Sequence, residues 1–134
     1  SIKPVGENGI YLFADVYEHL RRLPLQIRVY EITGPLFFGA ADAIEHIVVK
    51  DFTTCLILRM RSVPALDSTA LNALQNLTKV CESKGITLVF SHVNEQPMKV
   101  MVKSGFVDLV GKENFCPNIR AALDHAEKII ATAK

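Results

Sequence analysis

Two nearly uninterrupted apolar runs constrain the fold more than any other feature of this chain. Thr54–Met60 (TCLILRM) and Ile86–Phe90 (ITLVF) lack the regular polar alternation of a strand with one face in water. Such runs are typical of strands that are covered on both faces in a parallel sheet. A third run, Leu25–Thr33, alternates and ends at Gly34 and Pro35, which predicts a strand closed by a turn.

Helical spacing of apolar residues fills the segments between these strands. The first helix is predicted at Ala40–Val49, and the second begins after the N-cap residue Asp67 and stops at Gly85. The apolar residues of the second helix are Leu71, Leu74, Leu77, Val80 and Cys81. Strands that alternate with helices predict an α/β domain in which a mostly parallel sheet is packed with helices.

The C-terminal third is predicted to contain two more helices and a short strand. A helix at Pro97–Ser104 is capped by Gly105, Phe106–Val110 forms an edge strand, and Pro117 opens the last helix. The residues expected to point inward from the helix at Pro97–Ser104 are Met98, Met101 and Val102. The apolar stripe of the last helix consists of Ile119, Ala122, Leu123, Ala126, Ile129 and Ile130.

Length and composition predict one compact domain, because 134 residues with 49% hydrophobic composition bury a sizeable core. The formal net charge of +1 argues against the broad positive field that nucleic-acid binding requires. Neither a long apolar span nor a signal-peptide pattern is present. Since the chain starts at Ser1 rather than at a methionine, we expect it to be a segment of a longer protein.

Cysteine and histidine positions argue against metal, cofactor and catalytic sites. The three cysteines are widely spaced, which indicates free thiols in a reducing compartment: they are Cys55, Cys81 and Cys116. The four histidines lie far apart, and neither a nucleophile elbow nor a glycine-rich phosphate loop occurs. We therefore predict no enzyme activity, no metal and no cofactor. Weak nucleotide binding at scattered lysines stays an open alternative.

One strand-to-helix junction brings a carboxylate and two hydroxyls to a helix N-terminus. Asp67, Ser68 and Thr69 open the second helix in the stretch Ala65–Leu71 (ALDSTAL). The first interpretation is structural, with Asp67 accepting a hydrogen bond from a backbone NH two or three residues on. The second is regulatory, because a phosphate on Ser68 or Thr69 would lie at the positive helix end and beside a carboxylate.

At these residues the chain resembles the STAS family, which includes bacterial anti-sigma-factor antagonists and the tails of SulP anion transporters. An apolar strand followed by D-S-[ST]-[GA] is matched by Leu56–Met60 and by Asp67 to Ala70. The residue phosphorylated in antagonist-type members matches Thr69, although antagonists carry Ser there and usually Gly at the position of Ala70. The stretch Ile32–Ala41 (ITGPLFFGAA) is similar to the first-strand end of SulP tails, and antagonists lack its double Phe.

The resemblance implies a STAS-like, anti-sigma factor antagonist-like α/β fold with four to five mostly parallel strands packed with helices. Residues 1–134 form a single STAS domain, with 1–24 an extension from a transmembrane domain and 25–134 the core. The parent protein would be a secondary transporter of sulfate, bicarbonate or dicarboxylate, with this domain at the cytoplasmic face of the inner membrane. Its partners would be its own transmembrane domain, a second copy in the full-length protein, and a soluble cytosolic protein.

A partner-binding surface is predicted around the second helix start and the helix that follows His92. Its residues are Pro64, Asp67, Ser68, Thr69, Asn72, Lys99 and Lys103. The two lysines indicate an acidic protein partner, whereas Ser68 and Thr69 are the candidate phosphoacceptors. A free-standing antagonist of an anti-sigma factor is the alternative function.

Overall fold

The computed structural model describes residues 2–4, 10–11, 21–22, 24–37, 41–47 and 52–132. In these ranges the strands are β1 (Ile2–Pro4), β2 (Ile10–Tyr11), β3 (Arg21–Arg22), β4 (Ile27–Thr33), β5 (Cys55–Ser62), β6 (Thr87–Ser91) and β7 (Phe115–Cys116). The helices are α1 (Ala41–Glu45), α2 (Ser68–Ser83), α3 (Glu95–Lys103), α4 (Phe106–Val110) and α5 (Ile119–Thr132). A 3-10 turn covers Lys112–Asn114.

The main sheet has the strand order β1-β4-β5-β6-β7. Strands β4 to β7 are parallel, while β1 pairs antiparallel with β4 at one edge. Strands β2 and β3 form a separate antiparallel pair. Strand β5 lies in the middle of the sheet and is buried from Cys55 to Met60, as its apolar run predicts. This arrangement confirms the predicted α/β fold with four to five mostly parallel strands.

Alternating side chains of the central strands build two cores, one on each face of the sheet. Leu56, Leu58 and Met60 of β5 belong to the larger core, which α1, α2, α3 and α4 complete. Cys55 and Ile57 belong to the smaller core, against which α5 packs. The α5 residues buried there are Ile119, Ala122, Leu123 and Ala126, and Ile129 and Ile130 pack at its border, as the predicted stripe requires.

The first helix is shorter than predicted. Helix α1 ends at Glu45, and the amide of His46 is shared between the carbonyl oxygens of Asp42 and Ala43, a tightening typical of a helix end. Ile44 is its buried contact with the core, whereas Ala43 is exposed. The rest of the predicted helix, Ala40 and Val48–Val49, lies outside the described residues.

The prediction of an edge strand at Phe106–Val110 is wrong, because this segment is helix α4. Gly105 has a φ of 82°, a left-handed conformation that glycine adopts readily and that separates α3 from α4. Its carbonyl oxygen accepts the first hydrogen bond of α4, from the amide of Leu109. Only Phe106 is fully buried, with its ring edge-on to Phe90 at 5.6 Å between centroids. The edge strand is instead β7, whose Phe115 stacks on Phe90 at 5.0 Å.

Two further local predictions are wrong. Val102 points away from the core and is 59% exposed, because a nine-residue helix buries one row only, here Pro97 and Met101. Pro117 does not open the last helix, which begins at Ile119. Asn118 precedes it and accepts a hydrogen bond from the amide of Ala121 at 2.8 Å, the geometry of an N-cap.

Candidate partner-binding site

Helix α2 begins at the carboxyl end of β5, where Asp67 caps it. Asp67 has extended backbone angles, and its Oδ1 accepts a hydrogen bond from the amide of Ala70 at 2.9 Å. This bond pairs one of the amides that the first helical turn leaves without a partner. The carboxylate also lies at the positive end of the helix dipole, where a negative charge stabilises the helix.

The two hydroxyls that follow the cap are placed differently. Ser68 is exposed and Thr69 is half-buried, so a modifying enzyme has easier access to Ser68. With the other described residues, neither side chain forms a hydrogen bond. Pro64 and Asn72 are exposed on either side of them. The α2 start therefore presents free hydroxyls next to one carboxylate.

The loop between β5 and α2 (Val63–Asp67) is joined to the segment that follows β4 by backbone hydrogen bonds. The amide of Leu36 donates to the carbonyl of Ala65 at 2.8 Å, and the amide of Asp67 donates to the carbonyl of Leu36 at 3.0 Å. These bonds place Phe37, which is 49% exposed, beside the start of α2. Phe37 belongs to the stretch Ile32–Ala41 that resembles SulP tails, but it was not predicted to belong to this surface.

Two side-chain amides from the α3 start reach the same loop, and sequence reasoning missed both. Asn94 Nδ2 donates to the carbonyl oxygens of Arg61 and Val63 at 3.0 and 2.9 Å. Gln96 Nε2 donates to the carbonyl of Leu66 at 3.2 Å, and Gln96 Oε1 accepts from the amide of Leu66 at 3.0 Å. Asn94 and Gln96 belong to a polar segment that follows the buried strand β6. That position in the sequence is the feature from which a role at this edge of the sheet could have been predicted.

Two shallow open depressions lie beside α3, and the first of them reaches the loop at Pro64. The first, of about 460 Å³, is lined by Pro64, Asn94, Glu95, Gln96 and Lys99. The second, of about 500 Å³ and mostly apolar, is lined by Glu95, Met98, Lys99, Val102 and Lys103. The structure thus brings Pro64 together with Lys99, and Lys99 together with Lys103. Four residues of the predicted surface line neither depression: Asp67, Ser68, Thr69 and Asn72.

The exposed face of α3 carries more basic than acidic side chains. Lys99 Nζ lies 3.6 Å from Glu95 Oε1, but both side chains are more than three-quarters exposed, so the pair contributes little to stability. Lys103 is also exposed. Lys99 and Lys103 therefore stay available for a negatively charged partner beside the apolar side chains of Met98 and Val102.

Thiols and histidines do not gather at this surface. Burial raises the pKa of the Cys55 thiol to about 12, with a smaller contribution from Cys116 and Cys81. Burial raises the pKa of Cys81 to about 11 against an opposing effect of Lys84, and it also raises the pKa of Cys116. Protonated thiols are poor nucleophiles.

Neither a metal cluster nor a membrane span is found in the part of the chain that the structure describes. There, no three His, Cys, Asp or Glu side chains come together in a way that would hold an ion. None of the helices in the same ranges combines the length and the apolar character that crossing a bilayer requires.

Comparison with known proteins gives the same family for the sequence profile and for the related sequences. The sequence profile of the STAS domain matches residues 11–124. "Probable sulfate transporter 4.2" of Arabidopsis thaliana is 34% identical in a match that covers 81% of this chain and 19% of the transporter. The chain thus spans about a fifth of the length of the curated relatives it matches.

Solved structures add the fold. A sulfate transporter family protein from Wolinella succinogenes is 34% identical with a TM-score of 0.78, covering 84% of this chain and 93% of that one. The STAS domain of a SulP transporter from Vibrio cholerae is 33% identical with a TM-score of 0.68, covering 81% and 87%. The anti-sigma factor antagonist SpoIIAA, at 15% identity and a TM-score of 0.55, shares the fold alone. This chain belongs to the STAS domain family, in the branch carried by SulP transporters.

Proposed function

We propose that the chain is the cytoplasmic regulatory and protein-interaction domain of a SulP-type secondary anion transporter. The observation that carries the proposal is the composite surface described above. The exposed hydroxyl of Ser68 and the half-buried Thr69 lie at the start of α2. Hydrogen bonds join the loop before them to the first turn of α3, the helix that carries Lys99 and Lys103. The relatives that are about one third identical over the aligned region are a sulfate transporter, a sulfate transporter family protein and the STAS domain of a SulP transporter, which favours this function over that of a free-standing antagonist.

The surface would act through charge. A phosphate on Ser68 or Thr69 would be attracted by the positive end of α2 and repelled by the carboxylate of Asp67. Because Asp67 Oδ1 already pairs with the amide of Ala70, the added charge would remain on the outside of the helix. A partner docked there would meet two more negative charges, and its affinity would change although the fold would not.

We assign three partners to this domain in the full-length protein. They are the transmembrane domain of its own transporter, a second copy of the transporter in a homodimer, and a soluble acidic protein that docks on Lys99 and Lys103. The transported anion would be sulfate, bicarbonate or a dicarboxylate. The domain would lie at the cytoplasmic face of the inner membrane and would contact no nucleic acid.

The test measures anion uptake by the full-length transporter, normalised to its amount in the membrane. We expect Thr69→Glu to lower uptake and Thr69→Ser, which keeps the hydroxyl, to leave it near the wild-type rate. Asn76→Glu is the matched control, because it adds the same charge on an exposed position of α2 two turns away. Wild-type uptake by Thr69→Glu at equal abundance would contradict the proposal.

A further inference from the structure

The segment Ala65–Asp67 is hydrogen-bonded on both of its sides. On one side lies Leu36, whose amide donates to Ala65 and whose carbonyl accepts from Asp67. The amide and carbonyl of Leu66 are both bonded to the side-chain amide of Gln96, at 3.0 and 3.2 Å. Gln96 thus takes the place that a neighbouring strand would have, and the segment it pairs ends at the residue that caps α2.

Asn94 extends this attachment toward β5. Its Nδ2 donates to the carbonyl oxygens of Arg61 and Val63, which lie just before Pro64. Four hydrogen bonds from two side chains therefore hold the loop against the first turn of α3. Hydrogen bonds are directional, so this attachment fixes the orientation of the loop as well as its distance from α3.

We infer that Gln96, assisted by Asn94, is a positioning residue that couples the start of α2 to α3. A change at Ser68 or Thr69 displaces the α2 cap, the cap is continuous with Leu66, and Leu66 is held by Gln96 on the helix that carries Lys99 and Lys103. The hydroxyl site and the basic face then act as one unit, through the backbone from Asp67 to Leu66 and the two hydrogen bonds between Leu66 and Gln96. The biological meaning of this coupling rests on the proposed function, but the coupling is a property of the chain itself.

The first experiment follows amide hydrogen exchange in the 134-residue chain. We expect Gln96→Ala to speed exchange of the Leu66 amide about tenfold, because its acceptor is lost. Gln96→Glu keeps an oxygen acceptor and loses the donor, so we expect a smaller effect. Asn118→Ala is the control, since it removes the cap of α5 on the opposite face of the sheet. Unchanged Leu66 exchange in Gln96→Ala would contradict the inference.

The second experiment measures the coupling. We expect Thr69→Glu to shift the amide NMR signals of Lys99 and Val102, and expect Gln96→Ala to reduce those shifts by more than half. The Asn118→Ala background should leave them unchanged, which separates coupling from general destabilisation. Equal shifts with and without the Gln96 amide would overturn the inference. Should Gln96→Ala not fold, the same comparison is made with Gln96→Glu, in which a partial reduction is expected and no reduction counts against the inference.

These outcomes are distinguishable from a failure of the proposed function. If the shifts depend on Gln96 while Thr69→Glu transports at the wild-type rate, the coupling is real and the regulatory proposal fails. If Thr69→Glu lowers uptake and the shifts are independent of Gln96, the regulatory proposal stands and Gln96 is not its positioning residue.

Discussion

Glu31 and Arg59 face each other on the neighbouring strands β4 and β5, with Arg59 Nη1 3.9 Å from Glu31 Oε1. The Arg59 side chain is only 5% exposed. Arg61 Nη2 approaches the same oxygen at 3.4 Å from a position that is 39% exposed. One carboxylate therefore serves two guanidinium groups near the carboxyl end of the parallel strands.

We predict that Glu31→Ala lowers the free energy of unfolding by about 2 kcal/mol, because it weakens the pairing of a buried guanidinium. Arg61→Ala should cost less than about 1 kcal/mol, since solvent screens its half of the interaction. Urea denaturation of both variants gives the comparison. An equal loss of stability in Glu31→Ala and Arg61→Ala would show that burial does not determine how much each ion pair contributes.

The cap of α2 offers a test of stability that is independent of regulation. We predict that Asp67→Ala lowers the free energy of unfolding by about 1 kcal/mol, because the amide of Ala70 loses its acceptor. Asp67→Asn keeps a side-chain oxygen and should retain most of the stability. The measurement is thermal or urea unfolding, and a destabilised Asp67→Asn at the level of Asp67→Ala would argue against the capping bond.

The thiols should differ in reactivity according to burial. At pH 8 we predict that a disulfide reagent modifies the half-buried Cys116 first, and reaches Cys55 and Cys81 only after unfolding. The native Cys116→Ser chain should then be nearly unreactive. Fast modification of that variant in its folded state would contradict the prediction.

The same thiols make stability depend on alkaline pH. Their pKa values in the folded chain, about 12 for Cys55 and about 11 for Cys81, lie above the ordinary value of 9.0. Above pH 9 the unfolded chain therefore loses these protons first, and the folded state loses stability as the pH rises. Urea midpoints between pH 8 and pH 10.5 should fall less steeply in Cys81→Ala than in wild type.

The basic face of α3 should prefer acidic ligands. We predict that an acidic amphipathic peptide shifts the NMR signals of α3, and that Lys99→Glu with Lys103→Glu weakens its binding at least tenfold at low salt. A neutral peptide with the same apolar residues should be affected much less. Lys79→Glu, on the exposed side of α2, is the control. Equal weakening of both peptides would locate the recognition elsewhere.

Features that follow from local periodicity were predictable from the sequence. The apolar run around β5, the position of Asp67 before α2 and the stripe of α5 each result from burial or capping rules that act within a short segment. The cap of α2 was predicted in the same way, because Asp67 is a residue type that favours the position before a helix, whereas the partner-binding surface as a whole stays a prediction.

Features that depend on distant contacts were not predictable. Phe106–Val110 has the composition of a strand, but Gly105 starts a helix there and Phe106 is buried against Phe90. The attachment of Leu66 by Gln96 joins residues thirty positions apart, and no periodicity marks it. A sequence pattern reports on one segment only, whereas the conformation and contacts at these positions depend on residues that are distant in the sequence and close in space.

The sheet is bordered by strands of three and two residues, β1 and β7. Edge strands this short offer few backbone groups to a neighbouring chain, which protects a sheet against growth from molecule to molecule. An assembly of two copies through a continuous sheet would rest on very few hydrogen bonds at β1 or β7. Two copies of the domain would therefore meet through helices and loops rather than through a continued sheet.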